Sequence, residues 1–279
     1  MALERVSCIL EDADRNHYAV AAFNVFNFES ISWVIKAAEA EKAPVIVMMY
    51  PGCSKFIPVS TFIAIAKDLA HKAKVPVGIH FDHSSCFEEI MAGIAGGFPS
   101  VMVDGSRLPF EENVALTREV VKVAHPMSVD VEAELGFVGR ASNLEDFTNT
   151  DYYTDPATAA EFVEQTDVDS LAVAIGNAHG NYVATPKLDL KRLEDIKRLV
   201  SIPLVLHGGS GIPDEQIREA VKRGITKLNI GTEFAQEYYK NMKLIMGEKA
   251  AQRNILGCLI SLEEQMISYV RSKINLLHG

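Results

Sequence analysis

Cysteine is scarce in this sequence: Cys8, Cys53, Cys86 and Cys258 are scattered through 279 residues, and no two of them form a C-x-x-C pair. No disulfide framework is implied, and unpaired thiols suit a reducing compartment. Positive charge is also short, since the formal net charge is −10. That argues against a nucleic-acid or anionic-membrane partner. A bound phosphate would have to be held locally, by backbone N–H groups and helix N-termini. No apolar run approaches the ~20 residues that a membrane span needs. The opening Met1-Ala2-Leu3-Glu4-Arg5 leads into a polar helix rather than a signal peptide, so a cytoplasmic protein is expected. No linker composition breaks the chain, and one domain over residues 1–279 is expected.

Apolar residues make up 48% of the chain, and its length is near the ~250 typical of an eight-fold α/β barrel. Short apolar runs read as strands at Ala19–Asn24, Pro44–Met49, Val75–Phe81, Ser100–Val103, Ser128–Leu135, Ser170–Ile175, Pro203–Leu206 and Thr226–Ile230. Helical patterns lie between most of them, at about 28–42, 59–72, 87–94, 110–124 and 189–200, and again from Pro213 and after Thr232. A short helix at about 3–15 comes first. The last is expected at Ser261–Ile274, where Ser261 and Glu264 have capping-box spacing. Strands alternating with helices predict a single (β/α)8 barrel, an α/β fold with a short N-terminal helix and extra helices at the C-terminus. The stretch Gly136–Tyr153 has no periodicity and reads as one long loop, a candidate lid or binding loop.

Barrel enzymes place their sites at the C-terminal ends of the strands. The polar residues that interrupt the apolar runs collect there: Asn24, Asp82, His83, Asp104, Glu134, Asn177, His179, His207 and Asn229. Three of these are histidines at three strand ends, so His83, His179 and His207 are candidates for one metal site. Cys86 is an alternative ligand, three residues beyond His83. His80 reads as a hydrogen-bonded interior residue, and His17, His71, His125 and His278 as surface residues. The fifth strand carries Asp130, Glu132 and Glu134 on one face, and in a sheet covered on both sides the two glutamates are expected to point inward and act. Gly208-Gly209-Ser210-Gly211 and Asn229-Ile230-Gly231-Thr232 each precede a helix, after strands seven and eight, where barrels often bind phosphate.

Phe81-Asp82-His83, Val103-Asp104-Gly105-Ser106, Val131–Gly136, Gly176-Asn177-Ala178-His179-Gly180, His207–Pro213 and Asn229–Glu233 resemble, in order, the motifs of the class II, zinc-dependent ketose-bisphosphate aldolases, in their fructose- and tagatose-bisphosphate branch. The resemblance covers nearly the whole chain. It implies reversible cleavage of a ketose 1,6-bisphosphate to dihydroxyacetone phosphate and an aldehyde phosphate. It implies Zn2+ on His83, His179 and His207, and Asp82 as the general acid/base. Asn24, Gly180, Gly208, Gly209, Ser210, Asn229, Ile230, Gly231 and Thr232 would bind substrate, and Asp104 and Glu134 a second metal ion; a monovalent cation is a further possibility. A homodimer or homotetramer is expected.

The sequence departs from the family at three places. Tyr50 stands where a small Ser or Thr is usual near the substrate carbonyl, so an altered ketose is expected. The loop after Glu134 lacks the usual Gly-Gly-x-Glu-Asp, leaving Glu145 as the counterpart of its acid/base glutamate. The chain after strand eight is short, leaving Arg253 as the candidate for the arginine that a partner subunit places on the distal phosphate. A binding homologue without turnover is the alternative reading.

Overall fold

Eight parallel strands pair in chain order and close on themselves in the computed structural model, which describes residues 2–249 and 254–278. They are β1 (Val20–Asn24), β2 (Val45–Met49), β3 (Val77–Ser84), β4 (Ser100–Val103), β5 (Asp130–Leu135), β6 (Ser170–Val173), β7 (Leu204–Leu206) and β8 (Ile225–Ile230). The seam is β1 on β8, with Val20 opposite Lys227 and Ala22 opposite Asn229. The expected (β/α)8 barrel is therefore observed.

Each strand shows one face to the helices and one to the barrel interior, as a two-residue repeat requires. Phe23, Val47, Ile79, Val101 and Val131 belong to the layer under the helices. Val20, Ala22, Ile46 and Met48 point inward and meet Val6, Ile9, Leu10 and Ala13 of α1 (Val6–Asn16). That helix plugs the N-terminal end of the barrel. Asp130, the first acid of β5, belongs to this plug: its carboxylate accepts from the Ser7 backbone N–H at 2.9 Å, the Ser7 hydroxyl at 2.9 Å and Arg5 Nε at 3.1 Å. Of the three alternating acids, the lowest closes the floor and leaves the other two for the interior and the mouth.

The helices that follow are α2 (Phe28–Glu41), α3 (Val59–Lys72), α4 (Phe87–Ala95), α5 (Phe110–Ala124), the one-turn α6 (Glu145–Thr148), α7 (Pro156–Thr166), α8 (Leu190–Leu199), α9 (Asp214–Lys222), α10 (Thr232–Lys249) and α11 (Ile255–Leu277). None of the described helices is long and apolar enough to cross a membrane.

Four elements differ from the sequence reading. α7 was not predicted: Asp155 caps it by accepting from the Thr158 N–H, and Pro156 opens it, but few of its residues are buried. α11 begins six residues before Ser261, capped by Asn254, so Ser261 lies inside the helix and not at its start. The loop 136–153 contains α6 and a 3₁₀ turn at Thr150–Tyr152. β3 runs three residues past Phe81, and that extension shapes the site.

Candidate active site

Asp82 and His83 are consecutive, so a regular strand would send their side chains to opposite faces. β3 avoids this with a bulge. Phe81 pairs with Val101 and Ser84 with Val103, so three steps on β3 match two on β4. His83 takes φ +49°, and its N–H meets Met102 Sδ at 3.3 Å. The kink turns both side chains to the barrel mouth.

Each of the three predicted histidines is held by one ring nitrogen. His83 Nδ1 lies 3.1 Å from Asp104 Oδ2, His179 Nδ1 is 3.2 Å from the Val138 carbonyl, and His207 Nε2 is 2.9 Å from Glu132 Oε1. An acceptor at each of these positions fixes the tautomer, leaving the opposite nitrogen as a lone-pair donor. Those opposite nitrogens converge. His83 Nε2 and His207 Nδ1 are 3.0 Å apart, and ligand atoms of all three histidines lie within 4.8 Å of one another. Nitrogens about 3.3 Å apart are what a tetrahedral zinc with Zn–N bonds near 2.05 Å requires. His179 Nε2 is buried and has no hydrogen-bond partner. The donor set, its outer acceptors and the orphaned nitrogen all fit a zinc ion. His83, Asp104 and Glu134 form a second group with ligand atoms within the same distance.

The charges here favour a cation. Burial lowers His83, but Asp82, Asp104 and Glu134 outweigh it and push it up to about 10. Burial and the neighbouring His83 take His179 down to about 3, and burial lowers His207, so both are neutral with a lone pair free. Burial and Asp104 raise Glu134 to about 8. Asp82 behaves differently. Burial opposes its ionisation, yet the adjoining histidines and Lys227 hold it down at about 2. Asn24 Nδ2 donates to one of its oxygens at 2.9 Å, and Asn229 Nδ2 lies 3.2 Å from the other. Asp82 is a buried, oriented carboxylate beside the metal site.

Below this group lies a pair that the sequence reading did not assemble. Lys227 Nζ is 2.7 Å from Glu132 Oε2, and both side chains are fully enclosed. Glu132 thus receives Lys227 on one oxygen and His207 on the other. A lysine within the apolar β8, on the face that also carries Asn229, was the available signal. His80 fills the interior beside them, its Nδ1 2.7 Å from Ser100 Oγ, as expected of an interior histidine.

The cavity above these residues holds about 550 Å³. Of the predicted residues, Asn24, Tyr50, Asp82, His83, His179, Gly180, Gly208, Ser210, Asn229, Gly231 and Thr232 line it. Val25, Phe26, Cys53 and Ala235 line it as well and were not predicted. Gly231 and Thr232 lie at the N-terminal end of α10, where the first N–H groups lack intrahelical acceptors. Ser210 Oγ accepts from the Glu233 N–H at 3.0 Å, which ties the two Gly-rich loops together. Tyr182 ties two others: its hydroxyl accepts from the Ala178 N–H at 2.7 Å and donates to the Gly208 carbonyl at 3.2 Å.

Three predicted residues do not line the cavity. Ile230 belongs to the layer under the helices and turns its side chain away from the cavity. Gly209 is enclosed against Leu228, with its N–H on the Asn229 carbonyl at 3.2 Å. Glu145 is exposed on α6 and does not line the cavity, because the loop spends its length elsewhere. Gly139–Ala141 runs beside His179: the His179 N–H donates to the Gly139 carbonyl at 2.8 Å and the Ala141 N–H to the His179 carbonyl at 2.8 Å. Asp146 is the carboxylate that turns back on the loop, accepting from the Arg140 N–H at 2.7 Å. The loop read as a lid therefore holds a metal-ligand candidate in place. Cys86 is exposed, and Arg253 lies outside the described residues.

The family model for class II fructose-bisphosphate aldolase matches residues 4–279. The chain belongs to the class II fructose-bisphosphate aldolase family. The YdjI aldolase from Escherichia coli is 39% identical, with 99% of this chain and 97% of that one covered at a TM-score of 0.87. A proposed fructose-1,6-biphosphate aldolase from Coccidioides immitis is 30% identical over 98% of this chain and 96% of that one, with a TM-score of 0.85. The fructose-bisphosphate aldolase of Campylobacter jejuni, at 24% identity, 98% and 93% coverage and a TM-score of 0.82, shares the fold.

One glycine of this aldolase can be tested at once. Gly208 has φ +63°, and a Cβ there would lie 2.1 Å from the Ala178 carbonyl oxygen. Gly208→Ala must push apart the loops that carry His179 and His207. We expect it to weaken zinc binding at least about tenfold, the lower end of the cost of disturbing what orients a metal ligand. Competition with a chromogenic chelator measures this, and unchanged affinity would show that the loops can yield.

Proposed function

We propose that this aldolase is zinc-dependent and reversibly cleaves a ketose phosphate to dihydroxyacetone phosphate and an aldehyde. Convergence of three oriented imidazoles beside an ionised, immobilised Asp82 is the observation that carries the reading. Carbon–carbon cleavage leaves an enediolate, and among the described residues no lysine lines the cavity to hold that charge as a Schiff base. A zinc ion held by His83, His179 and His207 supplies Lewis-acid stabilisation of that charge.

The remaining work falls to the chain's own groups. Asp82 accepts the proton from the hydroxyl on the aldehyde side of the breaking bond and returns it on condensation. The adjoining histidines and Lys227 keep it ionised, and Asn24 and Asn229 keep it aimed. Gly180, Gly208, Ser210, Gly231 and Thr232 surround the phosphate on carbon 1, with the α10 N-terminus favouring its charge. His83, Asp104 and Glu134 are candidates for a second cation. Fructose and tagatose 1,6-bisphosphate are the reference ketoses implied by the sequence resemblance.

A coupled assay for dihydroxyacetone phosphate against both bisphosphates and the matching 1-phosphates tests the reading. Release from at least one ketose is expected. No release from any, together with no exchange of the carbon-3 protons of dihydroxyacetone phosphate, would favour the binding homologue.

A further inference from the structure

The cavity has two unlike ends. One consists of the Gly-rich loops and the α10 terminus, suited to an anion. The other is walled by Val25, Phe26, Tyr50, Cys53 and Ala235. Among the described residues, none of the side chains lining the cavity is a lysine or an arginine.

Four of the five backbone N–H groups on that second wall, those of Val25, Phe26, Cys53 and Ala235, are already engaged. The N–H groups of Phe26 and Asn27 both donate to Ser30 Oγ, at 3.1 Å each. The Val25 N–H donates to the Met48 carbonyl at 3.0 Å, that of Cys53 to the Tyr50 carbonyl at 3.0 Å, and that of Ala235 to the Gly231 carbonyl at 3.0 Å. What remains toward the substrate is ring and methyl surface with two neutral polar tips, the Tyr50 hydroxyl and the Cys53 thiol. Tyr50 lies over Gly52, where a Cβ would come within 2.3 Å of the ring, so the phenol is seated and half exposed at the mouth. A phosphate dianion against these five residues would lose water and find no cation among them. A sugar chain would keep its hydroxyls paired with the tyrosine and solvent, and its carbons against the rings.

We infer that the aldehyde half of the substrate is uncharged, so that the preferred ketose is a 1-phosphate and not a 1,6-bisphosphate, with Phe26 and Tyr50 setting this preference. The inference rests on the aldolase reading above and narrows its substrate.

The test uses the zinc-loaded enzyme in the condensation direction. Dihydroxyacetone phosphate is paired with glyceraldehyde or with glyceraldehyde 3-phosphate, each as the racemate. For a pair that does not turn over, inhibition of dihydroxyacetone phosphate proton exchange by fructose 1-phosphate and by fructose 1,6-bisphosphate ranks the two ends. The free form is expected to win by about tenfold or more in kcat/KM or in inhibition, the cost of an unpaired charge against an apolar wall. Equal use, or preference for the phosphorylated form, would overturn the inference while leaving the aldolase reading intact. Absence of exchange would remove the aldolase reading itself. Arg253→Ala should leave the ratio unchanged; a selective loss of the phosphorylated partner would show that Arg253 supplies the missing cation, and would overturn the inference.

Discussion

Asp82→Asn should lower turnover by roughly 10²–10⁴, the range for loss of a positioned general acid/base, while zinc content and dihydroxyacetone phosphate binding stay near those of the parent. The amide has the shape of the carboxylate but cannot take a proton. Of its two amide neighbours, the substitution can keep only one, because its NH2 would face the Asn229 Nδ2 that lies 3.2 Å from the other carboxylate oxygen. Asn24 Nδ2 donates to one Asp82 oxygen, so an amide oriented with its oxygen toward Asn24 keeps that contact. Activity of the variant within about tenfold of the parent would reduce Asp82 to a charged neighbour of the metal site.

Removing the charge of Lys227 should cost stability rather than chemistry alone. Lys227 and Glu132 are both enclosed in the barrel, and truncating one partner of such a pair leaves an uncompensated buried charge. For Lys227→Met we expect a loss of about 3–5 kcal/mol in urea unfolding, measured on metal-free protein so that zinc release does not contribute. Adding Glu132→Gln should restore part of that loss, because the buried charge is gone. A single-variant loss below about 1 kcal/mol would mean that water or a side-chain shift compensates Glu132.

The polar strand ends were legible because a buried parallel strand tolerates few polar residues, so Asp82, His83, His207 and Asn229 stood out against apolar runs. Their order along the chain placed them at one end of a barrel. The bulge at Phe81–Ser84 was not legible, because it is a property of how β3 pairs with β4 and neither strand carries it alone. Glu132 was read as inward and functional, but its partner Lys227 is 95 positions away and only barrel closure brings the two together. Glu145 was placed by motif position alone, and the loop leaves it exposed while Asp146 turns back on the loop to accept from the Arg140 N–H. The start of α11 was missed because Ile255, Leu256, Leu259 and Ile260 are exposed, so their pattern does not mark a buried face. Phe26 and Cys53 sit just beyond strand ends with no polar signal, and only the cavity reveals them.

Zinc dependence is the centre of this account, and one titration addresses it. The protein is stripped with a chelator, and exchange of the carbon-3 protons of dihydroxyacetone phosphate is followed as zinc is returned, alongside far-ultraviolet circular dichroism. The barrel core does not depend on a metal as a small zinc-built domain does, so the helical signal should persist when the metal is removed. Exchange should vanish in the stripped protein and return to a plateau at about one zinc per chain, as a single three-histidine site requires. Full proton exchange in the stripped, chelator-treated protein would contradict the account.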